Sequence, residues 1–227
     1  MNAAIARLLD VLYPPKCAAC DALVDAREVF CRVCAESLVP IGAPMCPRCG
    51  LPFAGGVDHL CSACAAHSPP FDRARAAFQY GGELQRAITR MKYGGRPDLA
   101  RVLGPMLGAP PECDVVVAVP LGRRRLAERE YNQALLLARA AWPRVRIDAF
   151  ALRRVRDTPP QAGLSAGARR ASVRGAFVAL GSRVEGRRVA LVDDVLTTGA
   201  TVEACARALR AAGAREVLVS TLARTVP

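Results

Sequence analysis

Asp193 and Asp194 stand side by side behind four apolar residues, Val189 to Val192, and ahead of Thr197-Thr198-Gly199-Ala200-Thr201. The apolar run has no polar alternation, which predicts a parallel strand buried on both faces. The acids then fall at its carboxyl end, and the small hydroxyl-bearing loop leads into a helix-like run from Val202 to Ala212. This order of parts suits a phosphorylated sugar. Loop N–H groups and a helix N-terminus offer partial positive charge to a phosphate. Adjacent carboxylates can accept hydrogen bonds from vicinal ribose hydroxyls, and a charged acceptor makes such bonds roughly twice as strong as neutral ones. An acid pair at a strand end is common in α/β proteins; the attached Thr-Thr-Gly-Ala-Thr loop is what points to phosphate and ribose.

A second set of chemistry-bearing residues lies near the N-terminus. Cys17, Cys20, Cys31 and Cys34 are followed by Cys46, Cys49, Cys61 and Cys64, as C-x2-C-x10-C-x2-C and then C-x2-C-x11-C-x2-C. A C-x2-C knuckle places two thiolates on one tight turn, and two knuckles complete a tetrahedral site. Four knuckles predict two structural zinc ions. Tandem and cross-braced pairings of the knuckles both fit the spacing. A disulfide framework is the competing reading, disfavoured by the knuckle pattern and the expected compartment. His59 and His67 near the last knuckle read as solvated loop residues, and Cys113 and Cys205 as unpaired thiols, the latter packed as a small apolar group.

The elements that would position these groups divide the chain in two. Met1 to Tyr13 reads as a short amphipathic helix ended by Pro14-Pro15, and residues 17–64 are loop-rich. Ser68-Pro69-Pro70 marks a boundary, giving an N-terminal module over 1–68 and an α/β domain over 69–227. Strand-like and helix-like segments alternate in the second part, the pattern of a parallel sheet with crossover helices. Strands are predicted at 74–80, 115–119, 145–150, 175–180, 188–192 and 216–221, and helices at 84–92, 98–107, 132–141 and 202–212.

Composition sets outer limits. The 227-residue chain is 52% hydrophobic, enough for a sizeable core. Its formal net charge of +12 suits polyanionic partners, although almost all the basic residues are arginine, Lys16 and Lys92 being the two lysines. Apolar runs fall well short of the ~20 residues of a membrane span, and the N-terminal segment lacks a cleavage site, so no membrane insertion and a cytoplasmic location are expected.

Residues 189–201 resemble the phosphoribosyl pyrophosphate (PRPP) binding motif of type I phosphoribosyltransferases, position for position. Further segments resemble the ComF family of competence-associated proteins, also known as GntX-like: Leu8 to Cys17, Met91-Lys92-Tyr93-Gly94-Gly95, Val119 to Arg125, Tyr131-Asn132-Gln133-Ala134, Arg156 to Leu164, and Arg174 to Phe177. The likeness covers nearly the whole chain. It implies a double zinc ribbon ahead of a type I phosphoribosyltransferase fold, and a link to DNA uptake in natural transformation.

By that resemblance Asp193 and Asp194 bind the ribose hydroxyls, directly or through magnesium, and Thr197, Thr198, Gly199, Ala200 and Thr201 cradle the 5′-phosphate. Arg123, Arg124 and Arg125 fall where relatives place a pyrophosphate loop, and Lys92 joins the ligand-binding set, though it also suits a helix C-terminus. Arg154 and Arg156, with Thr158 and Gln161, fall in a closing loop that would exclude water. The implied reaction displaces pyrophosphate from the anomeric carbon toward an acceptor not legible here, with Mg2+ on the phosphates. The rival implication is a non-catalytic PRPP sensor or single-stranded-DNA-binding adaptor that works with competence proteins. Two departures weaken turnover more than binding: Glu130 replaces a glycine, and Gly122 replaces a histidine common after Pro-Leu.

Overall fold

The computed structural model describes residues 14–157 and 166–226; the segment Met1–Tyr13, and Thr158 and Gln161 of the expected closing loop, lie outside the described residues. Two short helices, α1 (Arg32–Ala35) and α2 (Ser62–Ala66), belong to the cysteine module. The α/β part begins with β1 (Arg73–Gln79), α3 (Gly82–Tyr93) and α4 (Leu99–Leu103), which tightens into a 3-10 turn at Gly104–Leu107. Next come β2 (Val115–Ala118), α5 (Arg123–Arg129), α6 (Gln133–Ala141), β3 (Leu152–Arg154) and α7 (Ala166–Val173). The chain closes with β4 (Phe177–Ala179), α8 (Gly181–Val184), β5 (Arg188–Leu196), α9 (Ala200–Ala211) and β6 (Glu216–Arg224).

Four strands form a wholly parallel sheet in the order β1-β6-β5-β2. The first halves of its central strands, Val189 to Val192 of β5 and Val217 to Val219 of β6, are apolar throughout because helices cover both faces. One face packs Leu191, Val217 and Val219 against Val202, Cys205 and Leu209 of α9. The other packs Leu222 and Ala223 beneath Leu84, Ile88 and Met91 of α3 and Leu99 and Leu103 of α4. A smaller cluster sets Ala138 of α6 and Trp142 on Val116, Ala190 and Val192. The α/β architecture with a parallel sheet and an N-terminal cysteine module is therefore as the sequence predicts.

Several elements differ from that prediction. The segment 145–150 makes a single parallel bridge, Ile147 to Val116, rather than a full strand. Asp148 stops it by accepting from the Phe150 N–H at 2.9 Å, a side-chain turn that competes with the ladder. The segment 175–180 yields β4, but β4 pairs antiparallel with β3 in a separate two-stranded sheet. The predicted helix 98–107 changes to 3-10 geometry at Gly104-Pro105, where proline supplies no N–H. Helix α5 falls where a loop was predicted: its sequence, Arg-Arg-Arg-Leu-Ala-Glu-Arg, has no apolar periodicity to reveal it.

Candidate ligand site at the carboxyl end of the sheet

β5 continues past Val192 to Leu196, so Asp193 and Asp194 lie inside the strand rather than after it. Alternation then sends the two side chains to opposite faces. The Asp194 carboxylate is 3% exposed and forms an ion pair with the Lys92 ammonium from the last turn of α3. The Asp194 Oδ2 atom, otherwise without a partner among the described residues, faces that ammonium. Burial alone would lower the Lys92 pKa, but the Asp194 charge and hydrogen bond, with the Asp193 charge added, together outweigh it and raise the pKa above its ordinary value. Asp193 faces the α9 side, near the buried Cys205 thiol, which burial and the Asp193 charge push up. Burial, and then the charge of Asp194, push the Asp193 carboxyl well above the usual carboxylate range. The two acids are thus unequal: one is neutralised by a built-in cation, the other is held in a setting that disfavours its charge.

Beyond Leu196 the chain turns through Thr197, Thr198 and Gly199 into α9. Gly199 has φ 78°, a left-handed conformation that a side chain would strain. No side chain caps α9, so its first N–H groups are oriented toward the loop. Thr197 is exposed, Thr198 and Thr201 are half-buried, and Ala200 is buried. The five residues form a compact turn at the N-terminus of a 12-residue helix, a geometry that suits an anion.

The third wall follows β2. The chain leaves at Val119, whose N–H donates to the Val192 carbonyl at 2.9 Å, and enters α5 at Gly122. Asn132 closes this excursion twice over: its Nδ2 donates to the Val119 carbonyl at 3.0 Å, and its Oδ1 caps α6 by accepting from the Leu135 N–H at 3.2 Å. Arg123 and Arg124 are exposed, and Arg124 pairs with Glu128 at 3.2 Å along α5. Arg125 is half-buried and close enough to Arg154 to help lower the latter's pKa, second to burial; Asp157 opposes that effect. A Cβ on Gly122 would collide with Asp157 Oδ1, so the missing side chain makes room for that carboxylate.

Arg154 ends β3 and lies over the Phe177 ring at 5.3 Å. The Arg156 guanidinium donates to the carbonyls of Ser172 and Arg174, at 3.1 and 2.6 Å, at the end of α7. Lys92 and Asp194 therefore pair on one face of β5 with Asp193 on the other, Arg125, Arg154 and Asp157 form a second group, and Arg123, Arg124 and Arg156 lie apart from both. Sequence reasoning gave no role to Asp157 or Asn132. An asparagine just ahead of the apolar run 134–138 is a helix N-cap signal, but the contact to Val119 has no local signature.

The eight knuckle cysteines form two groups in sequence order, Cys17/Cys20/Cys31/Cys34 and Cys46/Cys49/Cys61/Cys64, with the sulfurs of each within 4.8 Å of one another. The tandem pairing is the one adopted. Four convergent sulfurs from two tight turns match the ligand set of structural zinc. Burial opposes ionisation of Cys17 and Cys46, but backbone N–H groups aimed at each sulfur overcome it and hold both thiols down to about 6. Zinc, when bound, supplies the cross-link that so small a core lacks. His59 stacks on Phe53 with ring centroids 3.9 Å apart, outside both groups.

The chain matches two family models, a double zinc ribbon domain over residues 8–65 and a phosphoribosyl transferase domain over residues 132–225. It is 35% identical over 209 residues to the DNA utilization protein YhgH of Salmonella typhi, covering 87% of this chain and 91% of that one. It is 32% identical over 215 residues to Competence protein F of Haemophilus influenzae, covering 88% and 92%. The chain belongs to the ComF family. A more distant member, Competence protein ComFC of Bacillus subtilis, is 26% identical over 82% of this chain and 80% of its own length. The ComF chain described here thus joins a double zinc ribbon to a phosphoribosyltransferase-type domain. Among the described residues, no helix is long and apolar enough to cross a membrane.

Proposed function

We propose that this ComF chain binds PRPP with magnesium at the carboxyl end of its sheet, transfers the phosphoribosyl group to an acceptor, and serves DNA uptake. One observation carries the reading: Asp193 and Asp194 on β5 are joined directly to an anion-suited turn, Thr197 to Thr201, at the N-terminus of α9. The ribose 5′-phosphate would lie on that turn, and the 2′- and 3′-hydroxyls would reach back to the carboxylates. Lys92 would act through Asp194, holding that carboxylate in place. Asp193 is the carboxylate left for the sugar or its cation. Magnesium, when bound with PRPP, would neutralise part of the pyrophosphate charge, held mainly by the ligand's own oxygens because Asp194 is already paired.

Arg125 and Arg154 form the positive end of the site and would attract the pyrophosphate. Asp157 beside them favours a second reading, in which PRPP is bound without rapid turnover: a carboxylate over Gly122 opposes a leaving group that gains negative charge. That form would be a PRPP sensor, or an adaptor that contacts single-stranded DNA through the basic surface.

Titration with Mg-PRPP separates these readings from a site that does not bind the ligand. Wild type should bind and Asp193→Asn should bind at least tenfold more weakly, the size of one charged hydrogen bond; equal affinity would overturn the ribose assignment. Pyrophosphate release with nucleobases or amines as acceptors identifies a transferase, and binding without release identifies a sensor. Binding to single-stranded DNA should fall steeply between low and moderate salt if the basic surface contacts phosphates.

A further inference from the structure

Helix α3, which delivers Lys92 to Asp194, is fastened at both ends to the first cysteine group. At its start, the Glu83 N–H donates to Ser37 Oγ at 3.1 Å, and Ser37 Oγ in turn donates to the Cys34 carbonyl at 2.9 Å. Near its end, Arg90 donates to the Ala18 carbonyl at 3.0 Å and forms an ion pair with Asp21. Ala18 lies inside the Cys17–Cys20 knuckle and Asp21 directly follows it. Between these ends, Leu84, Ala87, Ile88 and Met91 share one buried cluster with Cys17, Ala18, Ala19, Phe30 and Cys34. The last turn is also held from the far side, where Tyr131 donates to the Met91 carbonyl and the Arg129 guanidinium lies 4.6 Å from the Tyr93 ring.

The second cysteine group attaches elsewhere. Arg48, within the Cys46–Cys49 knuckle, accepts from the Ala74 N–H of β1 at 2.8 Å through its carbonyl, and the Cys49 carbonyl accepts from Arg224 of β6. One ribbon splints the helix that carries Lys92, and the other docks on the edge of the sheet.

We infer that the first zinc ribbon is the positioning element for the Lys92–Asp194 pair, acting through Ser37 and Arg90, so that metal at Cys17/Cys20/Cys31/Cys34 controls the ligand site from outside it. Cys17 and Cys34 share the apolar cluster under α3, and a zinc ion bound by the four sulfurs would cross-link them to Cys20 and Cys31. Loosening that cross-link loosens the floor on which the helix lies. The same four-sulfur set that fits zinc therefore has a role beyond folding its own segment.

The chain's two lysines make this measurable without a ligand. Lys16 is exposed and Lys92 is largely buried in its ion pair, so reductive methylation followed by mass spectrometry reports both in one molecule. In zinc-loaded wild type, Lys92 should react far more slowly than Lys16. Cys20→Ser and the milder Arg90→Gln should each raise the Lys92/Lys16 ratio about tenfold, as expected when a charged hydrogen bond that resists local opening is lost. Cys61→Ser should leave the ratio near wild type. An unchanged ratio in both first-ribbon variants, or an equal rise in Cys61→Ser, would overturn the inference.

A second arm rests on the proposed PRPP site. Arg90→Gln should weaken Mg-PRPP binding in the wild-type background and not in Lys92→Met; an effect of equal size in both backgrounds would show that Arg90 does not act through Lys92. If wild type binds no PRPP at all, the proposed ligand fails, while the methylation ratio still decides the role of the ribbon.

Discussion

Arg224, the last residue of β6, donates a hydrogen bond to the carbonyl of Cys49, 175 residues earlier in the chain. Arg224 is 8% exposed, and its charge favours the thiolate form of Cys49, against the larger effect of burial. A tetrathiolate zinc centre carries net negative charge, so a buried guanidinium at its rim has an electrostatic reason to be there. The contact fastens the second ribbon to β6, an inner strand of the sheet, so the ribbon is not a tethered appendage.

Arg224→Ala should therefore destabilise the whole chain, by about 2 kcal/mol for the loss of a charged hydrogen bond in a buried setting. Denaturant unfolding followed together with zinc release should show both transitions moving to lower denaturant. Unaltered unfolding with earlier zinc release would mean that the ribbon and the sheet unfold independently.

Neighbouring acids should respond in opposite directions to the same substitution. Asp193 has a raised pKa in the fold, so the folded state disfavours its charge; its stability contribution is complete below the ordinary carboxylate pKa of about 3.9 and is lost as pH rises through the folded value. Asp193→Asn should then match wild type near pH 3 and be the more stable protein at pH 7. Asp194→Asn should be less stable at pH 7 by about 3 kcal/mol, because it leaves the Lys92 ammonium buried without its counter-charge. Melting temperatures of the three proteins across pH 3 to 8 test both signs.

Metal analysis of the purified chain should give two zinc ions, one for each four-cysteine group. Cys20→Ser and Cys61→Ser should each lower that number, one site at a time. Chelation should lower the melting temperature, since residues 14–68 have little apolar core of their own apart from the cysteines and what they share with α3.

The parts of the site legible in sequence were those encoded by contiguous residues. Asp193 to Thr201 announce a strand, an acid pair and a phosphate-suited turn because all three share one segment, and the C-x2-C repeats announce metal because each knuckle is local. What could not be read depends on which distant segments meet. Lys92 suits the end of any helix, and nothing near it specifies Asp194 as its partner. Arg156 has the chemistry of a phosphate ligand, and its contacts to the carbonyls at the end of α7 have no local signature, since a helix C-terminus attracts the same guanidinium. The choice between tandem and cross-braced cysteines is likewise a three-dimensional fact, settled by which sulfurs converge.

Glu130 gives the last prediction, because here a departure in sequence has a measurable backbone consequence. It follows α5 with φ 64°, in the left-handed region, where a side chain costs about 1 kcal/mol relative to glycine. Its side chain is exposed, and its N–H donates to the Leu126 carbonyl at 2.7 Å, so the conformation is fixed by the end of α5 rather than by a side-chain contact. Tyr131 and Asn132, the next two residues, tie this corner to Met91 and Val119, which prevents the backbone from relaxing. Glu130→Gly should therefore stabilise the protein by up to about 1 kcal/mol, the relief being partly offset by glycine's greater freedom when unfolded. It should also remove a negative charge from the loop that follows β2, and so tighten Mg-PRPP binding if the pyrophosphate approaches that corner. Unfolding and titration read the two effects separately: greater stability with unchanged affinity would place the pyrophosphate away from Glu130, and lower stability would show that the glutamate side chain makes a favourable contact in solution.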